Sequence, residues 1–273
     1  MVEWERIGKS WLGDRRCGMK VRGKWFGRAI LLALFLGGWQ AACQSGYWSA
    51  YVLPSPAKVW SSFWTMVQNG VLFRHIAVSF RRVLSGYLIA FLLAFVLALA
   101  ASVQKKAAQL YDPFLEFMRN VPPISLIALL ILWFGIGETS KVIIIVLASF
   151  FPMFLNMKKG LCSCDPKLLE VGRACHLSRM QCYVQIVLPY AALDILVGMR
   201  IGLGYGWRAI IGAEMIAAGS GLGYLILDAQ QMSRSDKVIV GIAVIGVVGI
   251  LCDRVFSLLI RVLTHGGVED SWN

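Results

Sequence analysis

Hydrophobic residues along this 273-residue chain fall into long blocks rather than into the alternating patterns of water-soluble helices and strands. The longest block without a charged residue covers 83–103. Further blocks cover 29–43, two stretches within 122–157 separated by the polar break 135–141, 189–218, and 238–251, which continues to about Leu263. A helix that crosses a bilayer needs about 20 mostly apolar residues. The pattern therefore predicts an all-α, polytopic membrane protein with about six transmembrane helices.

Composition supports this fold class, because 58% of the residues are hydrophobic and only 15% are charged. A water-soluble domain carries about a quarter charged residues. Too few polar side chains are present to cover a surface in water, so the composition excludes a soluble globular protein and favours one embedded in the lipid bilayer.

The formal net charge of +12 has two interpretations, a nucleic-acid surface or basic cytoplasmic loops. If the N-terminus is cytoplasmic, 18 of the 27 lysines and arginines fall on inside segments and 7 on outside segments. This asymmetry agrees with the positive-inside rule. We therefore expect both termini in the cytoplasm and no nucleic-acid partner.

The blocks and charges divide the chain into five parts. They are a basic cytoplasmic tail (1–28), a first transmembrane helix (29–45), an external segment (46–82), a core of five transmembrane helices (83–265) with a long cytoplasmic loop (158–188), and a cytoplasmic tail (266–273). A cleaved signal peptide is the alternative for the first block, but we expect an uncleaved anchor. Within the external segment, Trp60, Phe63, Trp64 and Val67 have helical spacing. They predict an amphipathic helix that either lies at the membrane interface or packs on neighbouring spans.

Four of the seven cysteines lie in the long cytoplasmic loop, at positions 162, 164, 175 and 182. Together with His176 they could form a metal site, but their spacing matches no known zinc pattern. Thiols stay reduced in the cytoplasm. We expect free cysteines and no bound metal.

The most informative stretch is 165–189, DPKLLEVGRACHLSRMQCYVQIVLP. It is long enough for two short helices, and Asp165-Pro166 is a plausible helix start, with aspartate as the N-cap and proline at the first helical position. Such an element at the membrane surface can dock into a groove on a partner.

This stretch resembles the signature EAA-x3-G-x9-I-x-LP of ABC-importer permeases. Glu170 matches the motif glutamate, whereas Val171 and Gly172 replace its alanines and His176 replaces its glycine. Other motifs in the same order are similar to the nitrate/sulfonate/taurine branch of that family, and the resemblance covers about residues 50–265. They are LPSP at 53–56, His75 with Ser79 and Arg82, RNVPP at 119–123, WFGIGE at 133–138, FFP at 150–152 and AEMIAAGSGLG at 213–223.

The resemblance implies a type I ABC importer permease fold in the bacterial inner membrane. Such permeases work as dimers, here expected to be homodimers, with two cytoplasmic ATPases that bind ATP and magnesium and an external substrate-binding protein. The chain itself would be no enzyme and would bind no cofactor. The coupling residues implied are Glu170, Val171, Gly172, Arg173, His176, Ser178, Ile186, Leu188 and Pro189. Sulfonate, taurine or nitrate are the implied substrates, and a thiamine pyrimidine is an alternative.

Among the residues that differ from the motif, His176 is the one that affects the backbone conformation. Glycine permits a left-handed backbone, whereas histidine in that conformation is costly though allowed. We expect either a different turn here or a strained one.

Three charged residues within or near the fifth block, Arg200, Arg208 and Glu214, are candidates for the transport pathway. They could favour anions; alternatively, the arginines pair with Asp194 or Glu214 or reach the headgroups. Glycines at 198, 202 and 206 allow close helix approach and predict a seam either within one subunit or between two.

Two other functions have weaker support. Residues 18–24 read G-x4-G-K, but Trp25 stands where a phosphate-binding loop needs serine or threonine. An ion-coupled secondary transporter would show internal repeats, and none is convincing.

Overall fold

The computed structural model describes Gly27 and residues 30–263, with only the backbone for 105–111. Every regular element in these residues is helical. In chain order they are α1 (Ile30–Gln44), α2 (Pro56–Gln68), α3 (Val71–Val103), α4 (Lys105–Asn120), a 3-10 turn (Pro123–Leu126), α5 (Ile127–Phe134), α6 (Glu138–Cys162), α7 (Pro166–Ala174), α8 (Arg179–Cys182), a π-helical turn (Tyr183–Val187), α9 (Leu188–Ala217), α10 (Leu222–Gln231) and α11 (Ser235–Leu263). Cys17, the glycine-containing motif at 18–24 and the predicted tail 266–273 lie outside the described residues.

Four helical stretches are long and apolar enough to cross a membrane: α3, α6, the continuous helix Arg179–Ala217 and α11. A fifth candidate, Asp112–Asn120 with Pro123–Phe134, is bent by 87°. The bend follows from Pro122 and Pro123, because a residue before proline avoids the helical region, and Val121 is extended. The described part of α1, Ile30–Gln44, is shorter than a full span. Each predicted block is thus helical where the structure describes it, and four of the six belong to helices long and apolar enough to cross a membrane without a sharp bend.

Helix α3 begins at Val71, whereas the hydrophobic pattern predicts a span from residue 83. The helix extends because two of its charged side chains, Arg74 and Arg81, point to the surface. Arg82 is buried, with 4% of its side chain exposed, and it has partners of opposite charge. The last part of the predicted external segment is therefore the first third of a membrane helix.

Helix α6 lies at the centre of the bundle, between α3 and α9. On α3, Ala90, Ala94 and Ala98 are fully buried against it. On α9, the three glycines spaced by four residues face it, and a methyl group on Gly202 would lie 2.6 Å from Met153 Cγ. The glycine seam is thus within the subunit, which decides between the two predicted alternatives.

The bundle has two distinct ends. Arg82 of α3 contacts Glu138 at the start of α6, so these helices run parallel, whereas Gly160 of α6 faces Asp194 near the start of α9. The starts of α3, α6 and α11 therefore lie with α10 at one end, called here the α10 end. Helices α7 and α8 lie at the other, called the α7 end.

Candidate functional sites

The loop at the α7 end contains the two short helices predicted from the sequence. Asp165 caps α7, since its carboxylate accepts a hydrogen bond from the Lys167 N–H at 2.9 Å, and Pro166 is the first helical residue. Ser178 and Gln181 form a reciprocal capping box at the start of α8. Both helix starts are therefore fixed by side chains adjacent in sequence.

Gly172 is the residue of α7 that packs against the segment following the helix. It is buried, and a methyl group on it would lie 2.7 Å from Ile186 Cδ1 and 3.0 Å from Cys182 Sγ. On the other side, Glu170, Val171 and Arg173 are exposed. Helix α7 therefore packs through one face and presents a mixed charged and apolar face outward.

His176 adopts the left-handed conformation, with a φ of 55°. The His176 N–H donates to the Arg173 carbonyl at 2.9 Å, and the Leu177 N–H donates to the Gly172 carbonyl at 3.0 Å. These two bonds define a Schellman motif, whose left-handed position normally holds glycine. The turn is therefore the one that glycine would make, and histidine makes it under strain.

The remaining predicted coupling residues lead into the membrane. Ile186 is in the π-helical turn, and Leu188 and Pro189 begin α9. In the same turn the Tyr183 hydroxyl contacts the Ser102 hydroxyl near the end of α3. The loop is thus attached to two membrane helices.

The four cysteines of this loop form no disulfide bond. Burial raises the pKa of the Cys164 thiol above its ordinary value, and the neighbouring Asp165 carboxylate adds to the shift. Across residues 30–263 no three histidine, cysteine or acidic side chains are grouped to hold a metal ion.

The two arginines of α9 have different surroundings. Arg200 forms two hydrogen bonds of 2.7 Å with Asp253 of α11. The partners expected from the sequence are engaged elsewhere: Asp194 lies 3.4 Å from Lys159, and Glu214 binds Arg82. Antiparallel packing of α9 and α11 places Asp253 opposite Arg200.

Arg208 is exposed and, among the described residues, has no carboxylate partner. Its Nε donates to the Gly204 carbonyl at 3.1 Å, and its guanidinium lies 5.0 Å from the centre of the Tyr205 ring. Arg208 lies within Arg179–Ala217, a helical stretch that is long and apolar enough to cross a membrane. An arginine inside a membrane span needs water or protein around it.

A cleft of about 630 Å³ between α9 and α11 contains both arginines. Its charged lining is Arg200, Arg208, Arg254 and Asp253. Three guanidinium groups face one carboxylate, so the cleft has an excess of positive charge. This electrostatic environment favours an anion.

Glu214, the third predicted pathway residue, is completely buried in a polar cluster at the α10 end. Its carboxylate accepts hydrogen bonds from Arg82 Nη1 at 2.8 Å, from the Ser79 hydroxyl at 2.8 and 2.9 Å and from the Gly223 N–H at 3.0 Å. We call Ser79, Arg82, Glu138, Lys141, Glu214 and Ser220 the Arg82 cluster.

Glycines of the α9–α10 turn allow this arrangement. Gly221 has a φ of 115°, and a methyl group on it would lie 2.2 Å from the Glu214 carboxyl carbon. A methyl group on Gly223 would lie 2.3 Å from the Ile211 carbonyl oxygen. The Gly221 N–H donates to His75 Nδ1 at 3.0 Å, so this imidazole nitrogen is unprotonated.

The Arg82 cluster unites motifs that the sequence shows only separately. His75, Ser79 and Arg82 come from one motif, Glu138 from a second, and Glu214 with its following glycines from a third. Sequence reasoning missed that they meet. The available signal was charges of opposite sign at the ends of apolar blocks, where unpaired burial is costly.

Comparison with known proteins identifies the family. The family of the binding-protein-dependent transport system inner membrane component matches residues 83–265. An aliphatic sulfonates transport permease, SsuC, of Bacillus subtilis (strain 168) is 36% identical over 88% of this chain and 87% of its own length. The taurine transport system permease TauC of Escherichia coli (strain K12) is 34% identical over 87% and 89% of the two chains. The nitrate import permease NrtB of Leptolyngbya laminosa is 28% identical over 85% of each.

Solved structures agree on the fold. A chain of an amino acid ABC transporter crystallised with histidines superposes with a TM-score of 0.62 at 17% identity, covering 73% of this chain and 97% of that one. A chain of the MetNI methionine ABC transporter in an inward-facing form gives a TM-score of 0.58 at 16% identity, covering 74% and 97%. These structures share the fold of this chain, and the sequence matches show that it belongs to the family of inner-membrane components of binding-protein-dependent transport systems.

Proposed function

We propose that this chain is the permease subunit of an ATP-driven importer, and that α7 is the helix to which a cytoplasmic ATPase docks. One observation carries the proposal: α7 is capped at both ends, packed through Gly172 and exposed along the face of Glu170, Val171 and Arg173. A helix that is held in place and exposes both charged and apolar side chains can dock into a groove on a partner.

The proposed cycle uses the continuity of the chain beyond α7. Helix α8, the π-helical turn and α9 form one stretch, Arg179–Ala217, of 39 residues. A displacement of α7 by the ATPase would move this stretch and alter the packing at the α10 end, where Glu214 lies. The α7 end and both termini would be cytoplasmic, and the permease would act as a homodimer in the inner membrane.

We further propose that the transported solute is a small anion delivered by an external binding protein. The support is the excess positive charge in the α9–α11 cleft, to which Arg208 contributes a guanidinium without a carboxylate partner among the described residues. Relatives named for aliphatic sulfonates, taurine and nitrate point to the same substrate class. Arg200, by contrast, is neutralised by Asp253 and is assigned a structural role.

The docking role is tested with Glu170→Lys in proteoliposomes that contain the permease and its cognate ATPase. Charge reversal on the exposed face should abolish ATP-driven uptake, while the amount of inserted protein stays at the wild-type level. Glu116→Lys is the control, because Glu116 is also exposed but lies on α4. Unchanged uptake by Glu170→Lys would refute docking through α7.

The anion pathway is tested with Arg208→Ala and Arg208→Lys. Removing the charge should lower uptake of a sulfonate about tenfold or more, and lysine should restore most of it, because the cleft regains its positive charge. Equal uptake by wild type and Arg208→Ala, with equal ATP hydrolysis, would exclude a pathway role. An ionophore that stops uptake while ATP is plentiful would instead contradict ATP-driven import.

A further inference from the structure

We propose that Glu138 is a releasable latch that holds the start of α6 against α3 and the α9–α10 turn, and that it opens while the Arg82–Glu214 contact remains closed. The role of this opening in transport rests on the proposed import function, whereas the latch itself is a property of the permease alone.

Arg82 uses all of its hydrogen-bonding capacity within the cluster. Its Nε and Nη2 each donate to one oxygen of Glu138 at 2.6 Å, and its Nη1 donates to Glu214 at 2.8 Å. Ser220 accepts the remaining two bonds, through its carbonyl at 2.6 Å and its hydroxyl at 3.2 Å. A guanidinium has five N–H donors, and five bonds are formed. One side chain of α3 therefore connects α6, α9 and the turn after α9.

The two carboxylates that share Arg82 differ in exposure. Glu214 is completely buried and also accepts from the Gly223 backbone. The Glu138 side chain is 53% exposed and, apart from Arg82, contacts Lys141 of its own helix at 3.0 Å. Water can therefore replace Arg82 as a partner of Glu138, but it cannot reach Glu214. Although Glu138 forms two hydrogen bonds with Arg82 and Glu214 only one, the contact with Glu138 is therefore the half of the cluster that water can replace.

Charge balance permits the two halves to separate. On separation, Arg82 stays with Glu214, and Glu138 stays with Lys141. Each pair has zero net charge, so opening leaves no isolated buried charge, which is the cost that normally prevents a buried ion pair from breaking. A cluster with three charges would lack this property.

The connection before α6 allows the movement. Gly135 has a φ of 75°, and a methyl group added to Gly135 or to Gly137 would meet no atom within 4 Å. Ile136, between them, is 77% exposed. The start of α6 is thus attached to α5 through a loosely packed segment.

Hydrogen exchange on the permease in lipid nanodiscs tests the latch without any ATPase. In Glu138→Gln, the amides of 142–145, which bond to the first turn of α6, should exchange about fivefold faster, as expected when a half-exposed ion pair loses its charge. The amides of 221–223 should keep their wild-type protection, because Glu214 remains bound. Glu116→Gln, which alters a glutamate–arginine contact within α4 alone, should change neither segment.

Unchanged exchange at 142–145 would overturn the latch, and so would an equal rise in both segments, which would mean that the cluster opens as one unit. If Glu138→Gln does not accumulate, Glu138→Asp keeps the charge but shortens the side chain, and the same two segments are compared. In the complex with the ATPase, Glu138→Gln should also raise hydrolysis in the absence of the binding protein. The two proposals can fail separately. If Glu138→Gln exchanges faster at 142–145 but the wild-type complex with the ATPase shows no ATP-driven uptake, the latch is supported and the proposed import function is rejected.

Discussion

The α9–α10 turn offers a sharp test of the packing at the α10 end, through Gly221→Ala. Two costs add at this position. The backbone φ of 115° is one that alanine rarely adopts, and its methyl group would overlap the Glu214 carboxyl carbon, at 2.2 Å. The neighbouring Gly219→Ala is the matched control, since Gly219 has no such φ and no atom within 4 Å of an added methyl group.

The loss of stability caused by Gly221→Ala is estimated from these two costs. Backbone strain of this kind costs about 1–3 kcal/mol. Moving the Glu214 carboxylate breaks its contact with Arg82, and disrupting a buried ion pair costs about 3–5 kcal/mol. The sum is of the order of the whole stability of a typical domain, about 5–15 kcal/mol. We expect Gly221→Ala to melt at least about 10 °C lower or to fail to accumulate.

Thermal unfolding of both variants in the same detergent, with the amount of protein in membranes measured in parallel, checks this expectation. Gly219→Ala should match wild type within about 1 °C, because substitutions on open surface change stability little. If Gly221→Ala accumulated and melted like Gly219→Ala, the close approach of the turn to Glu214 would be wrong.

Substitutions at three further positions test other parts of the structure. His176→Gly should raise the melting temperature by a few degrees, because it relieves a left-handed conformation that costs about 1 kcal/mol or more, whereas His176→Ala should give no gain. Gly172→Ala should retain ATP-driven uptake, since the atoms it meets are side-chain ends of Ile186 and Cys182 that can move, but Gly172→Leu should displace α7 and abolish uptake without loss of inserted protein. Ser149→Ala should be neutral or stabilising by up to about 1 kcal/mol, because the Ser149 hydroxyl is buried without a hydrogen-bond partner in the described part of the chain; a clear loss of stability would contradict this.

Much of the fold is predictable because each span is a local property of the sequence. The apolar block at 83–103 and the capping pair Asp165-Pro166 identify a membrane helix and the start of α7, and both predictions are confirmed. The burial of Arg82 within α3 is not a local property. It depends on Glu138 and Glu214, which neutralise Arg82 and lie far away in sequence.

Side-chain partners are harder to predict for the same reason. Arg200 binds Asp253, 53 positions later, because α9 and α11 run antiparallel. No periodicity within α9 contains this information. His176 shows the opposite case: its strained turn is one of the two expected outcomes, since a single backbone position decides it. The coupling and pathway roles of these residues remain predictions.

The π-helical turn Tyr183–Val187 connects α8 to α9 and also determines how far one is rotated about the helix axis relative to the other. Such a turn contains more residues than an α-helical turn, and each residue of an α-helix corresponds to a rotation of about 100° about its axis. The turn therefore sets the rotational phase between the α7–α8 unit and the membrane part of α9. Deleting one residue here would leave every motif on either side intact, yet it would rotate the proposed docking face of α7 by about a quarter of a revolution. If α7 docks as proposed, a chain shortened in this way would present the wrong side of the helix to the ATPase.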